Sequence, residues 1–317
     1  MNKDINKDIN KQDKKEINKT AFIAIVGCPN VGKSSILNAL LGEKLAIVSE
    51  KPQTTRTRIM GVLTEESRQL VFIDTPGLHR PRSKLGEHMV RAVREGMDGV
   101  DACLFVVEAA GTQLRPEEEQ LLQSFKKQKL PVLLVLNKVD LLDRKESLME
   151  RILQLSKCYD FAAVVPCSAL KGSNMGALRE ELAALFRRPE LHLPEGFYFP
   201  EDTLTDQPER VIAAELLREQ LLRNMGQEIP HGVAVSVEKM KERDDGLLDI
   251  EAVIFCERES HKGMIIGKGG AMLKRVSSNA RKEMEAFFAC RVNLQCWVKV
   301  KEDWRNREGL IRNFGLE

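Results

Sequence analysis

Gly27-Cys-Pro-Asn-Val-Gly-Lys-Ser34 is the stretch that decides the fold. It fits the spacing G-x-x-x-x-G-K-[ST] at every required position, and its surroundings fit too. An apolar run, AFIAIV (21–26), precedes it, and a helix-forming run, SILNALL (35–41), follows. A loop between strand and helix turns its backbone N–H groups around phosphate oxygens, and the helix start adds its positive end. Gly32 permits close approach to phosphate, Lys33 bridges the terminal phosphates, and Ser34 offers a hydroxyl to magnesium.

Outward from this loop, apolar runs recur at LVFID (70–74), ACLFVVEAA (102–110), LPVLLVLN (130–137) and AAVVPCSA (162–169). Helical stretches at 116–128, 144–157 and 175–186 separate or close them. Strands alternating with helices, and apolar at nearly every position, predict a mostly parallel sheet covered on both faces. Polar motifs end these strands at the carboxyl edge, where such sheets bind ligands. Asp74-Thr-Pro-Gly77 puts a carboxylate near the metal and a glycine amide near a terminal phosphate. Asn137-Lys-Val-Asp140 supplies Asp140, which accepts from the ring N1–H and 2-amino group of guanine; adenine would leave that carboxylate unpaired. Ser168-Ala-Leu-Lys171 presents a backbone N–H, most simply that of Ala169, to the guanine oxygen.

A composition break follows. Residues 187–208 hold four prolines and no helical period, which places a linker at 189–207 between a domain at 20–188 and one at 208–317. Past it, 209–225 carries an apolar helix face, and HGVAVSVEKM and GLLDIEAVIFCE read as alternating strands around Asp244-Asp245-Gly246. Met264-Ile-Ile-Gly267-Lys-Gly-Gly270 lies between two helices, and ACRVNLQCWVKVK returns as a strand. The result is a small α+β domain. From Phe255 to Lys301 there are ten Lys or Arg against four Glu, a basic stripe beside a glycine loop that fits phosphate contact. Phe287, Phe288 and Trp297 read as core residues rather than base-stacking ones.

The motifs of the first domain resemble those of the translation-factor-related GTPases, and the second domain resembles a type II KH domain, whose GxxG loop clamps single-stranded nucleic acid. Their order, the segment YFPEDTLTDQPERVIAAELLRE (198–219) and the ending WVKVKEDWRNREGLIRNFG (297–315) resemble the Era family of ribosome-assembly GTPases over residues 21–317. The resemblance implies nucleotide contact at Gly27, Pro29, Asn30, Val31, Gly32, Lys33, Ser34 and Ser35, and at Asp74, Thr75 and Gly77. It extends that contact to Asn137, Lys138, Asp140, Ser168, Ala169 and Leu170. Within Lys51-Pro-Gln-Thr-Thr-Arg56, a switch loop, it implies a magnesium-binding threonine, Thr55 before Thr54, beside Ser34 and Asp74. Lys33, Thr55 and Gly77 become the catalytic candidates, and Gly267, Lys268, Gly269, Gly270, Lys274 and Arg275 the RNA contacts. At GCPNVGKS the likeness reaches GTPases whose asparagine, here Asn30, helps hold a potassium ion; a left-handed turn is the other reading of that residue.

The family resemblance further implies GTP, GDP and magnesium as ligands, and binding near the 3′ end of 16S ribosomal RNA during maturation of the small subunit. It also implies a cytoplasmic place with peripheral association with the inner membrane, and identifies no protein partner. Leu78 stands where many GTPases keep a water-orienting glutamine, which predicts slow intrinsic turnover. It also keeps open a binding module in which nucleotide is only a conformational cofactor. His79 beside it reads as an exposed bystander.

The 317 residues suit two domains, and 43% hydrophobic with 30% charged residues excludes a disordered chain. The longest clean apolar run, Leu130–Leu136, falls well short of the roughly 18 residues of a bilayer span. The net charge of +2 points to no partner by itself. Residues 1–19, with a short NKDI repeat and no apolar segment, read as a disordered tail, with contact to RNA the alternative. Seven cysteines without a CxxC pair read as free thiols.

Exchanging Asp140 for Asn turns a double acceptor into an acceptor–donor amide. GTP affinity is expected to fall by two powers of ten, about 3 kcal/mol, as for lost charged hydrogen bonds, while XTP becomes the better ligand. Competition titrations with the two nucleotides check this, and unchanged GTP binding would remove Asp140 from the base site.

Overall fold

A computed structural model describes residues 17–316, except 52, 79, 80, 82, 112, 227 and 228. The tail reading for 1–16 and the reading of His79 lie outside the described residues.

The first half runs β1 (Lys19–Val26), α1 (Lys33–Leu41), β2 (Ile59–Glu65), β3 (Arg68–Asp74), α2 (Lys84–Glu95) and β4 (Ala102–Glu108). It continues with α3 (Pro116–Gln128), β5 (Val132–Asn137), α4 (Lys145–Ser156), β6 (Ala163–Pro166) and α5 (Met175–Leu185). Sheet order is β2-β3-β1-β4-β5-β6, parallel except for β2. Alternation along the strands feeds two cores: Ile23, Ile25, Leu104 and Val106 face one, while Ala24, Val26, Phe105 and Val107 face the other. Parallel register lines up the carboxyl ends, with Ile25 opposite Asp74 and Leu136 opposite Pro166. The motif-bearing loops therefore share one edge.

Two elements of this domain lie outside the sequence reading. β2 pairs antiparallel with β3 across a turn at Glu66, whose φ is 53°, without the Asn-Gly or Asp-Gly pair that marks such hairpins. α2 starts at Ser83, whose hydroxyl accepts from the Gly86 N–H at 3.2 Å, and buries Leu85, Met89, Ala92 and Val93 at helical spacing. The tail boundary also moves. Lys19 belongs to β1, because its N–H donates to Ser67 and the chain beside it pairs with the proline-rich segment.

That segment is a strap rather than a free linker. Gly196 N–H donates to Asn18 O at 2.7 Å, Thr20 N–H to Pro194 O at 3.1 Å, and Val62 N–H to Leu204 O at 2.8 Å. The Gln69 carboxamide accepts from the N–H groups of Tyr198 and Phe199 and donates to Phe199 O. Prolines bar a helix here, but backbone groups of Pro194, Gly196, Tyr198, Phe199 and Leu204 find partners on the first domain.

The second half runs α6 (Glu209–Asn224), β7 (Ala234–Glu242), β8 (Leu247–Cys256), α7 (Glu259–Ile266), α8 (Ala271–Phe288), β9 (Arg291–Val300) and α9 (Glu308–Asn313). Its sheet, β7-β8-β9, pairs β8 antiparallel with β7 and parallel with β9. Leu216, Leu217, Val276, Ala280 and Met284 from α6 and α8 join Ile250, Ala252 and Ile254 in the core. On the opposite face, Val253 and Phe255 meet Trp304, Ile311 and Leu316 from the chain's end, together with Leu85 and Met89 of α2. Trp304 is fully buried, and its indole N–H reaches Gly232 O at 2.9 Å. Trp297, expected in the core, is 44% exposed, because alternation along β9 turns it to the side of Gln295 and Lys299 while Cys296 and Val298 face the core. Phe287 and Phe288 pack against the core.

Candidate nucleotide-binding site

Three glycines at the sheet's edge have no room for a side chain. A Cβ on Gly27 would run into Val106 O, and one on Gly32 into the Asn137 carboxamide. On Gly77 it would stand 2.6 Å from the Pro29 backbone. Gly27 and Gly32 also hold positive φ, so the loop keeps its backbone bare by two independent constraints.

Lys33 opens α1 and is buried, its ammonium donating to Gly27 O at 3.2 Å and Cys28 O at 3.0 Å. Burial pushes its pKa down, while Asp74 opposes that shift. Ser34 Oγ donates to Asp74 Oδ2 at 2.7 Å and lies 3.0 Å from Thr55 Oγ1. Ser34, Asp74 and Thr55 therefore come together from three separate segments. Thr54 does not join them: its hydroxyl donates to Lys51 O at 2.6 Å within its own loop. Asp74 Oδ1 is buried with no hydrogen-bond partner among the described residues, and burial pushes the carboxyl up from 3.8 to about 6. A buried, half-satisfied carboxylate beside two hydroxyls fits a small hard cation such as magnesium.

The base end differs from the sequence reading in detail. Asn137 donates to Val31 O at 2.9 Å and accepts the Ala169 N–H at 3.0 Å, so the donor assigned to guanine is taken by Asn137 in this structure. Ser168 is buried, and its hydroxyl accepts the Lys171 N–H. Asp140 is exposed rather than buried, so the cost of leaving it unpaired arises only once a base covers it. Leu141 and Leu170, both strongly exposed, line the same cleft. Lys138 adopts φ 65° and pairs with Glu108.

Thr75, assigned to nucleotide contact, is fully buried, and its hydroxyl donates to Ile25 O at 3.0 Å; it braces β3 against β1. Leu78 tucks its side chain against the second core, and its N–H donates to Gly27 O, so it offers nothing polar to a water. Asn30 takes the left-handed conformation, φ 65°, and also donates to Glu50 O at 2.8 Å. The cleft holds about 810 Å³ and is lined by Pro29, Asn30, Gly32, Lys33, Ser34, Ser35, Thr55, Gly77, Asn137, Lys138, Asp140, Ser168 and Leu170 among others. That volume is in the range of small-molecule sites. Sequence reasoning missed Ile47 and Val48, which belong to no motif, and Leu222 and Arg223 of α6, which another domain supplies.

In the second domain, Gly267, Lys268, Gly269 and Gly270 connect α7 to α8. Gly267, Gly269 and Gly270 have positive φ, and a Cβ on Gly267 would meet Met272 at 2.6 Å. Lys268, Gly269, Lys274 and Arg275 are exposed. A bare backbone turn flanked by exposed cations suits a phosphate chain.

Residues 22–138 match the family model described as a 50S ribosome-binding GTPase, and residues 228–305 match the KH domain. The chain is 48% identical over 299 residues to the GTPase Era of Clostridioides difficile, covering 94% of this chain and 98% of that one. It is 48% identical over 300 residues to the GTPase Era of Ruminiclostridium cellulolyticum, with the same coverage. Two solved structures superpose with a TM-score of 0.87 at 38% identity, covering 94% of this chain and 99% of theirs. One is a single-residue variant of Aquifex aeolicus Era bound to GDP·AlF4⁻; the other is Era with MgGDPNP and nucleotides 1506–1542 of 16S ribosomal RNA.

A folded-state pKa above the unfolded value means that ionising Asp74 opposes folding, so that stability is fullest at low pH and declines as pH rises through about 6. The advantage of Asp74→Asn over wild type in chelator is expected to grow by about 2 kcal/mol between about pH 4 and about pH 7.5. Urea melts at the two pH values measure it; a constant difference would show that the carboxyl is not strained by burial.

Proposed function

The chain belongs to the Era family of GTPases, and from that premise we propose a GTP-hydrolysing switch that grips 16S ribosomal RNA near its 3′ end while the small subunit is assembled. The observation that carries the reading is the meeting of Ser34, Thr55 and Asp74 beside Lys33 at the open edge of the sheet. These three would hold magnesium, which supplies charge neutralisation at the phosphates when bound. Lys33 exchanges its loop carbonyls for phosphate oxygens, and the Gly77 amide marks the end of the triphosphate. Asp140 selects guanine, and the exposed side chains of Leu141 and Leu170 flank the base. With Leu78 turned into the core, position 78 offers water no polar group, which supports slow turnover and acceleration by a bound partner.

The division into a first domain that begins with β1 at Lys19 and runs to 188, and a second at 208–317, belongs to the same proposal, as does a cytoplasmic place with peripheral association with the inner membrane. Among the described residues, no helix is long and apolar enough to cross a membrane. The Gly267–Gly270 loop with Lys268, Lys274 and Arg275 is the proposed RNA clamp.

Asn30 is the proposed contact to potassium, an added cation beside charge that develops in hydrolysis. GTPase rates in potassium and sodium chloride at matched ionic strength check this; higher rates in potassium are expected, and equal rates leave Asn30 as a turn residue and tether of Glu50.

Lys268→Asp with Gly269→Asp changes three charge units at the tip of the loop, where the space around Gly269 is open and aspartate tolerates its φ of 59° better than most residues. Affinity for a single-stranded RNA carrying the 16S 3′ end is expected to fall more than about tenfold, with GDP binding unchanged. Parallel titrations of RNA and fluorescent GDP decide it. Wild-type RNA affinity in a folded double variant would remove the loop from the clamp.

A further inference from the structure

The switch loop that carries Thr55 is held from the other domain. Arg218, on α6 and 2% exposed, donates from its guanidinium to the carbonyl oxygen of Thr54. The same guanidinium donates to both carboxylate oxygens of Glu215, at 2.7 and 2.6 Å, which fixes its plane. On the other side of Thr55, Arg56 reaches Val233 O at 2.6 Å and lies over the Trp304 ring. The residues before and after Thr55 are thus anchored to the second domain, while its own hydroxyl lies beside Ser34.

A switch loop needs such an anchor. Among the described residues, the Thr54 side chain bonds within 49–54, and no backbone ladder holds 51–58 against the sheet. A charge-assisted donor on a rigid fork restrains a peptide carbonyl in direction as well as distance. With the Thr54 carbonyl fixed, the adjoining peptide is fixed too, and Thr55 is presented toward Ser34 and Asp74. We infer that Arg218 is a positioning residue for the metal site: the second domain supplies the group that aims Thr55 of the first at the cation. This rests on the functional reading above, in which Thr55 is a magnesium ligand of the triphosphate state.

The test uses the full chain loaded with a fluorescent non-hydrolysable GTP analogue. The readout is the magnesium concentration that half-maximally slows analogue release. Arg218→Met, which keeps the volume and drops the donor, is expected to raise that concentration about tenfold, the size of one lost charge-assisted bond, while GDP release changes less than about twofold. Arg218→Lys keeps the charge but loses the fork, and a smaller rise of about threefold is expected. Lys44→Met is the control, because it breaks interdomain ion pairs to Glu219 and Glu283 away from the 51–56 loop. Wild-type values in both Arg218 variants overturn the inference, and so does an equal rise in Lys44→Met, which would make Arg218 one docking contact among others. Should Arg218→Met lose its fold by circular dichroism, Arg218→Lys decides alone, a wild-type value again overturning the inference. If the wild-type protein itself retains the analogue without regard to magnesium, the functional reading fails instead.

Discussion

One buried carboxamide holds the nucleotide edge in shape. Asn137 ends β5, gives its N–H to the carbonyl of Val31 and takes the N–H of Ala169. The phosphate loop after β1 and the loop after β6, separated in the sheet by β4 and β5, are joined through that one side chain. The space it fills is the space that a Cβ on Gly32 would need, so the amide and the bare glycine require each other. Each of these hydrogen bonds is worth only about 1 kcal/mol net, but an unsatisfied buried partner costs more, which makes the arrangement all-or-none. The candidate phosphate loop and the candidate base loop are thereby held in register by the same residue.

The parts of the site governed by local chemistry were legible in the sequence. A phosphate loop needs glycines, a lysine and a hydroxyl at fixed spacing, and a strand end followed by Asp-Thr-Pro-Gly or Asn-Lys-Val-Asp announces itself within a few residues. What was not legible depends on partners far along the chain. Thr75 has the polarity of a ligand contact, yet its hydroxyl braces a neighbouring strand. Ala169 has a free N–H on paper, and a side chain from the end of the preceding strand takes it. Trp297 is different: the alternation of Val292, Leu294, Cys296 and Val298 already sets it on the opposite face of β9, with Arg291, Gln295 and Lys299. The hairpin of β2 and β3 turns at Glu66 without the usual glycine, so periodicity alone had no punctuation to find.

Between the domains lies buried charge. Glu219 has no exposed surface, and around it gather the Val48 N–H at 3.0 Å, Arg223 at 2.9 Å and Lys44 at 2.6 Å, the last also bridging to Glu283. Such a carboxylate is tolerable only when its charge is compensated, which at Oε2 rests on the Lys44 ion pair, and separating the domains would strip it of Lys44 and Val48 at once. Elsewhere on the same interface, α2 lays Leu85 and Met89 against Trp304 and Ile311, with His88 paired to Glu308 at 2.9 Å. The loop before β2, held by Arg218 and Val233, and the loop before α2 are thus both tied to the second domain, the first by polar contacts and the second through apolar ones.

The strap from Pro194 to Thr205 has a consequence for solubility. β2 is one of the two edge strands of the six-stranded sheet, and the strap occupies its outer side: Val62 N–H donates to Leu204 O, and Thr205 Oγ1 to Met60 O. An open edge with free N–H and C=O groups is a template for another chain's strand, and proteins commonly cover, charge or kink such edges. Here the cover is borrowed from the connection between domains. A fragment ending at Arg188 would keep every nucleotide motif and still expose that edge, so the boundary of the foldable unit lies past the boundary of the motifs. Self-association, rather than lost nucleotide chemistry, is the failure built into a chain cut too early.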